Sequence, residues 1–190
     1  ITKKEINMLK NADYIYNNII IADEVNTTKK YCKKAQVGVD LSIKDVETFT
    51  GPGYTLQDKT YAAPSIPLEK LTFTDPVGKS HKGWHIETGS YIIKLNEGCD
   101  FKENTTGLIF LRSSLNRSGV DIVSAVWDPG YTSISGGEVY PMSIRITVHN
   151  AEGFYLEENA RVCQLIVPEN EKTDLYDGQW QGGATVSKLV

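Results

Sequence analysis

The sequence predicts an antiparallel all-β fold, and two observations carry that prediction. Short apolar runs, several of them alternating with polar residues in the two-residue period of a half-buried strand, recur between clusters of Gly, Pro, Asn and Asp. No helical period is sustained after residue 20. A chain of 190 residues commonly folds around one core, so we expect residues 1–190 to form a single domain.

The N-terminal part predicts one short helix and one strand. Apolar residues at positions 6, 9 and 12, followed by 13–16, are typical of a short helix, although Asn and β-branched residues are weak helix formers. Within 36–43 the odd-numbered positions are apolar and alternate with polar or small residues, which indicates a half-buried strand. Asp40 therefore points away from the apolar face of this strand.

Repeated Pro and Gly residues make 51–82 an irregular region. It leaves room for two short strands, around Thr55 and at 71–73, and its aromatic content favours an ordered excursion over a linker. Its function is not indicated. His81 and His85 lie four residues apart outside any helical pattern, without clustered Cys or carboxylates, so we interpret them as loop residues and not as zinc ligands.

The rest of the chain predicts further short strands and a tail. Five apolar or alternating runs indicate strands at 89–95, 108–111, 122–127, 144–148 and 160–167. The C-terminal tail, 176–190, is expected to be mobile because three glycines flank its aromatic residue, Trp180, which could stack on a base or sugar.

Composition excludes several classes of protein. The net charge of −4 and pI near 5.4 argue against a general binder of nucleic acid or anionic membranes, which needs a basic surface. Cys32, Cys99 and Cys163 are far apart, so neither a disulfide scaffold nor a zinc site is indicated, and a reducing cytoplasm is expected. No apolar run approaches the roughly 20 residues of a membrane span.

The first group of functional candidates follows the strand at 108–111. Arg112, Ser113, Ser114 and Arg117 offer two guanidiniums and two hydroxyls in a short stretch. Such donors bind phosphate oxygens through charge-assisted and bidentate hydrogen bonds. The pattern therefore predicts a phosphate-binding site.

The second group follows the strand at 122–127. Asp128 stands directly before Pro129 and Gly130, which force a turn that ends at Tyr131. A carboxylate at a strand end beside a turn is a common place for a site. Taken alone, however, Asp128 is more often a turn-forming residue and Tyr131 a packing residue.

These stretches resemble the dUTPase and dCTP deaminase superfamily, and within it the archaeal type of dUTPase. The matching stretches are V-D-L at 39–41, R-S-S-L-x-R-S-G at 112–119, A-x-W-D-x-G-Y at 125–131, V-H-N-x-x-G at 148–153 and A-R-x-x-Q-L at 160–165. The resemblance implies a distorted jelly-roll barrel. It also implies a homotrimer with sites at the subunit interfaces.

The resemblance implies hydrolysis of dUTP to dUMP and pyrophosphate, with water attacking the α-phosphorus and Mg²⁺ bridging the triphosphate. Asp128 matches the acid that orients the attacking water or accepts its proton. Tyr131 matches the aromatic residue that packs against deoxyribose and leaves no room for a 2′-hydroxyl. Asp40 matches an Asp of the metal and triphosphate region, which would act on the metal through water.

The resemblance also assigns the binding residues. Arg112, Ser113, Ser114 and Gln164 would stabilise the negative charge of the transition state. Arg117 matches an Arg that the deaminase branch uses, but the same run occurs in the hydrolase branch. If Trp180 covers the bound base, the tail would close the site and exclude water, as lids do.

Two alternatives stay open. A dCTP deaminase needs a strand Glu three residues before Asn150, where this chain has Thr147, which cannot do acid-base work near neutral pH. Between Asp128 and Asn150 the chain is several residues longer than either branch normally is, which leaves the register across 132–143 open, so Glu138 could occupy that place instead. The other alternative is a non-catalytic regulator that binds nucleotide or protein, because the usual glycine-rich last motif of the hydrolases is replaced by 176–183.

Overall fold

The structure is a computed structural model, and it describes residues 8–21, 28–123, 126–171 and 173–182. The predicted short helix is confirmed: α1 begins after Asn11, whose side chain accepts a hydrogen bond from the backbone N–H of Tyr14 at 2.8 Å. The elements of the first half are α1 (Ala12–Asn18), β1 (Ile20–Ile21), a 3-10 turn (Thr28–Lys30), β2 (Lys33–Lys34), β3 (Val39–Phe49), β4 (Tyr54–Thr55), β5 (Thr60–Tyr61), β6 (Ser65–Pro67), β7 (Leu71–Thr74), β8 (Ser80–Ile86) and β9 (Gly89–Leu95).

The second half is also built from strands, apart from one short helical turn, so the predicted all-β fold is confirmed. Its elements are β10 (Gly98–Cys99), β11 (Leu108–Leu111), α2 (Ser113–Asn116), β12 (Val120–Val123), β13 (Ile134–Ser135), β14 (Glu138–Val139), β15 (Ser143–Val148), β16 (Phe154–Glu157) and β17 (Arg161–Ile166).

The main sheet curls into a nearly closed barrel. Its strands follow the order β11-β17-β3-β9-β15-β12, and each neighbouring pair is antiparallel. The two ends of this order meet where Gly107 and Trp127 form a bridge, with N···O distances of 2.9 and 3.1 Å. Closure of this kind leaves few unpaired strand edges.

Alternation along the strands fills the barrel with apolar side chains. Strand β9 buries Ile93 and Leu95, and β15 buries Ile144, Ile146 and Val148. The opposite faces of these two strands carry polar residues at most positions, as the two-residue period requires. That polar face later forms the floor of a cavity.

Strand β3 runs further than the predicted 36–43. A bulge between Ile43 and Asp45 shifts the register against β9, so the buried positions change from odd to even numbers and Val46 enters the core. A bulge inserts one residue and re-aims the following side chains. The alternation in the sequence therefore stops before the strand does.

The irregular region 51–82 is ordered, and it contains the two short strands expected near Thr55 and at 71–73. Strands β4 and β5 form a hairpin, β6 pairs with β3, and β7 and β8 form a small sheet with β16. The interpretation of His81 and His85 as loop residues was wrong, because both lie in β8. Long-range pairing of β8 with β16 determines this strand.

His81 has a structural partner on each ring nitrogen. Its Nδ1 lies 2.8 Å from Glu157 Oε1, and its Nε2 lies 3.0 Å from Asp75 Oδ2. These two carboxylates raise the pKa of His81. Among the described residues, no three metal-ligating side chains are grouped so as to hold a metal ion, and in those same residues no helix has the length and apolarity needed to cross a membrane.

The stretch 132–143, whose register the sequence left uncertain, contains a two-stranded hairpin. Gly136 and Gly137, with φ of +62° and +84°, form the turn between β13 and β14. Glu138, the alternative position for a deaminase acid, lies next to this turn, and its Oε2 accepts a hydrogen bond from the hydroxyl of Tyr140 at 3.2 Å.

Candidate active site

Asp128 sits at the first position of a tight turn. The backbone N–H of Tyr131 donates to the carbonyl oxygen of Asp128 at 3.0 Å, and Gly130 has a φ of +82°. Pro at the second position and a left-handed Gly at the third are the signature of a type II turn. The carboxylate of Asp128 is exposed, and among the described residues no cation forms an ion pair with it. It is therefore available to accept a hydrogen bond from water.

The turn is fixed to the barrel wall by Phe101. The N–H of Phe101 donates to the carbonyl of Tyr131 at 2.9 Å, and the N–H of Gly130 donates to the carbonyl of Phe101 at 3.1 Å. The buried Trp127, which bridges to Gly107, holds the chain just before the turn. Asp128 thus projects from a backbone whose position is determined on both sides.

Tyr131 is half-buried beside Asp128, and its ring lies 5.9 Å from the ring of Tyr176, measured between centroids. Burial raises the pKa of Tyr131 well above its ordinary value, with smaller contributions from Cys99 and Tyr176. The phenol is therefore neutral at physiological pH. It offers a flat surface and cannot act as a base.

A cavity of about 1020 Å³ opens in front of this turn. Asp128, Tyr131 and Trp180, three of the predicted site residues, line it together. The irregular region 51–82 contributes residues 62–65 to one wall of the cavity. This region, whose function the sequence did not indicate, therefore helps to enclose the candidate site. The floor is the polar face of the barrel strands β3, β9 and β15.

Charged residues on that floor were missed by the sequence reasoning. Lys94 Nζ lies 2.5 Å from Glu47 Oε1, and Glu47 Oε2 accepts a hydrogen bond from the hydroxyl of Ser65 at 2.7 Å. Arg145 also lines the cavity, and among the described residues no carboxylate pairs with its guanidinium. The alternation at 144–148 was the available signal, because it places Arg145 on the face opposite the core.

The predicted phosphate motif lies elsewhere on the barrel. Ser113 and Ser114 begin the single turn of α2 and are exposed, and Arg117 follows it and is also exposed. Arg112 precedes α2 in an extended conformation. These four residues do not line the cavity that contains Asp128.

Arg112 is held by two partners. Its Nε lies 3.1 Å from Asp40 Oδ2, and its Nη1 donates to the carbonyl oxygen of Arg161 at 3.1 Å. Gln164 is the cross-strand neighbour of Asp40 in the pairing of β17 with β3. The structure therefore brings Asp40, Arg112 and Gln164 together, although they come from three separate motifs.

Within one chain the two groups of predicted site residues are separated. The phosphate motif precedes β12 and the Asp128 turn follows it, and only the turn lines the cavity. Thr147, where a deaminase needs Glu, pairs across strands with Asp121 and Ser90, and its hydroxyl lies 3.3 Å from that of Ser90. No carboxylate occupies that strand position.

Comparison with known proteins defines the family. A family model described as dCTP deaminase-like matches residues 8–170, and the chain belongs to this family. A probable deoxyuridine 5′-triphosphate nucleotidohydrolase of Methanococcoides burtonii is 30% identical over 147 residues, which are 76% of this chain and 78% of that protein. Its counterpart from Aeropyrum pernix is 33% identical over 147 residues, 76% of this chain and 82% of that protein.

The fold also matches a solved structure. The 2′-deoxycytidine 5′-triphosphate deaminase from Agrobacterium tumefaciens superposes with a TM-score of 0.54 at 15% identity, covering 87% of this chain and 49% of that chain. The chain thus spans about half the length of that protein. The predicted superfamily and its β fold are confirmed.

Proposed function

We propose that this protein is a dUTP diphosphatase, which hydrolyses dUTP to dUMP and pyrophosphate by attack of water on the α-phosphorus. One observation carries the proposal: the exposed carboxylate of Asp128, which forms no ion pair within the described part of the chain, stands at a fixed turn and lines a cavity together with Tyr131 and Trp180. The names of the archaeal relatives support this choice of substrate.

Asp128 has the chemistry that the hydrolytic step needs. A carboxylate within hydrogen-bonding distance of the attacking water orients it and accepts its proton as the bond to phosphorus forms. The hydrogen bonds that fix the turn hold Asp128 in place before substrate arrives. Positioning of this kind lowers the entropic cost of the reaction.

Tyr131 would select deoxyribose. Its neutral ring lies next to Asp128, and Tyr176 packs against it, so a sugar bound here would contact a ring that has little freedom to move. A 2′-hydroxyl would be crowded against this surface and would find no hydrogen-bond partner there. Trp180, which lines the same cavity, would cover the base.

The phosphate donors would come from a neighbouring subunit of a homotrimer. In one chain Ser113, Ser114, Arg117 and the Asp40–Arg112–Gln164 group do not share the cavity with Asp128. Exposed apolar side chains on strands beside both groups, Phe110 and Val123, suit burial between subunits. The guanidinium of Arg112, already oriented by Asp40, would then face the triphosphate.

Magnesium would accompany the substrate. Mg²⁺ in nucleotide enzymes is held by one or two carboxylates together with substrate phosphates and retained waters. Asp40 is the carboxylate beside the phosphate motif, and one of its oxygens is occupied by Arg112, so an indirect contact through water fits its environment. When bound, the ion would neutralise charge that develops on the phosphates.

Three free, buried cysteines, Cys32, Cys99 and Cys163, suit a reducing compartment, for which we propose the cytoplasm. Burial raises the pKa of Cys32 to about 11, so this thiol stays protonated and unreactive.

The experiment is a product assay with dUTP, dCTP, dTTP and UTP in separate reactions with Mg²⁺, resolved by chromatography. We expect dUMP and pyrophosphate from dUTP, and at least tenfold slower turnover of UTP because of the sugar selection at Tyr131. Release of ammonia from dCTP would instead identify a deaminase. If none of the four nucleotides is turned over, the result would favour the alternative of a non-catalytic regulator.

A further inference from the structure

The segment 173–182, here called the tail segment, lies along the turn that carries Asp128 in its own chain. The N–H of Tyr176 donates to the carbonyl of Pro129 at 2.8 Å, and the N–H of Gly182 donates to the carbonyl of Thr132 at 2.9 Å. Contact is also steric: a Cβ on Gly130 would stand 2.8 Å from the Cβ of Leu175. The turn is thus packed between the barrel and the tail segment.

One side chain of the tail segment binds the backbone on both sides of Tyr131. Gln181 Nε2 donates to the carbonyl oxygen of Gly130 at 2.8 Å, and Gln181 Oε1 accepts from the N–H of Thr132 at 3.1 Å. A carboxamide is suited to this bridge, because it carries a donor and an acceptor in one rigid plane. The same Nε2 lies 3.4 Å from the carbonyl of Tyr176, which ties the bridge to the tail segment itself.

We propose that Gln181 is a positioning residue for the hydrolysis: its side-chain amide holds the turn of Asp128 and Tyr131 in working geometry. This inference rests on the proposed function. Gln181 would act through the turn, because it is not among the residues that line the cavity. Phe101 fixes the turn from the barrel side, and Gln181 supplies the corresponding hydrogen bonds from the tail side.

The bridge has a functional consequence beyond folding stability. The apolar core of the barrel is built from other residues, and Gln181 lies outside it. The turn would keep its backbone hydrogen bonds to Phe101 and to the tail segment. It would lose the two hydrogen bonds from Gln181 that lie on either side of Tyr131. Displacement of a catalytic group by about 1 Å can reduce turnover about a hundredfold.

The test uses Gln181→Ala and Gln181→Glu in the full chain, with Gln179→Ala as the matched control. Gln179 lies in the same tail segment, and the one hydrogen bond that its side chain makes within the described residues is a long one, 3.4 Å, to the carbonyl of Thr60. For Gln181→Ala we expect kcat for dUTP to fall at least tenfold while KM changes less than threefold. Gln179→Ala should behave as the wild type.

Gln181→Glu supplies a readout that a merely structural role would not change. A protonated Glu donates to the Gly130 carbonyl as Gln does, whereas a charged carboxylate repels that oxygen. The activity of this variant relative to wild type should therefore rise as the pH falls from 8 to 5. A ratio that stays constant over this range would overturn the proposal, and so would a wild-type kcat in folded Gln181→Ala.

Amide hydrogen exchange gives a second measurement that does not depend on activity. The N–H of Thr132 should be protected in the wild type and should exchange at least tenfold faster in Gln181→Ala, because its acceptor is lost. Equal protection would also overturn the inference. If the wild type itself does not hydrolyse dUTP, the proposed function fails, and the role of Gln181 fails with it.

Discussion

Asp40 and Arg112 form an ion pair, with 3.1 Å between Oδ2 and Nε, that joins the strand β3 to the phosphate motif after β11. The carboxylate is largely buried, with a side-chain exposure of 14%, and the guanidinium is only half-exposed at 34%. Asp40 therefore orients Arg112, together with the carbonyl oxygen of Arg161.

Asp40→Asn should weaken substrate binding. Loss of the charged partner leaves Arg112 poorly oriented, and hydrogen bonds to charged groups contribute about 1.5–3 kcal/mol, so KM for dUTP should rise about tenfold or more. Steady-state kinetics measures this. The matched control is Asp13→Asn, which removes an exposed pair with Lys34 and should change neither KM nor kcat. An unaltered KM in Asp40→Asn would show that Arg112 does not contact the triphosphate.

Asp128→Asn should abolish hydrolysis without preventing binding. The amide keeps the shape of the side chain but is a poor proton acceptor, so kcat should fall by about 10² to 10⁴. Affinity for a non-hydrolysable dUTP analogue, measured by calorimetry, should stay within about tenfold of wild type. The control is Asp58→Asn, in the turn between β4 and β5, which should retain full activity. Turnover at the wild-type rate in Asp128→Asn would remove this residue from its proposed role.

Mixed oligomers test whether the site is shared between chains. Asp128→Asn and the double variant Ser113→Ala/Ser114→Ala should each be nearly inactive alone. After unfolding and refolding together in equal amounts, random assembly should combine an intact turn with an intact phosphate motif in about a quarter of the sites. Recovery of about a quarter of wild-type activity is therefore expected. If the mixture stays as inactive as its components, the Asp128 turn and the phosphate motif of one active site must come from the same chain.

Glu97 gives a pH dependence of stability. It is fully buried, and its carboxylate oxygens bind the N–H and the hydroxyl of Ser42, at 3.0 and 2.6 Å. Burial raises its pKa from 4.5 to about 7, although the hydrogen bonds from Ser42 act in the opposite direction. Between these values the folded state keeps a proton that the unfolded state has released. Stability is therefore lost as the pH rises from about 4.5 to about 7.

Glu97→Gln removes this titration while keeping a donor and an acceptor for Ser42. The free energy of unfolding, from urea denaturation between pH 5 and 8, should fall with rising pH in the wild type relative to the variant. The difference should reach at most about 3 kcal/mol, from about 1.36 kcal/mol per pKa unit. Parallel pH profiles would show that Glu97 ionises in the folded protein as it does in water.

The sequence predicted most of what depends on local pattern. Strand β9 lies at 89–95 and β11 at 108–111, as predicted. A strand that buries one face shows alternating apolar residues in its sequence, and a short buried strand shows a continuous apolar run, so both patterns can be recognised without knowing the rest of the fold. The helical turn α2 was not predicted, because a segment of four residues, most of them polar, is too short to show a helical period. The Asp128 turn was predicted because Pro and Gly fix its backbone locally.

The remaining features depend on contacts between distant parts of the chain. Glu97 follows the strand β9 closely in sequence, but its burial depends on Ser42 from β3. Nothing near Gln181 in the sequence indicates that its amide binds the backbone beside Tyr131. Arg145 follows the alternation of β15, but its place in the cavity depends on how the irregular region 51–82 and the tail segment pack over the polar face of the barrel strands. Such residues are determined by tertiary structure.

The most direct test of the proposed chemistry is the position of bond formation. Hydrolysis of dUTP in water enriched in oxygen-18, followed by mass spectrometry, identifies which product receives the solvent oxygen. Attack on the α-phosphorus, oriented by Asp128, predicts one labelled oxygen in dUMP and none in pyrophosphate. Label in the pyrophosphate, or turnover of dCTP to dUTP with release of ammonia in place of hydrolysis, would contradict the account.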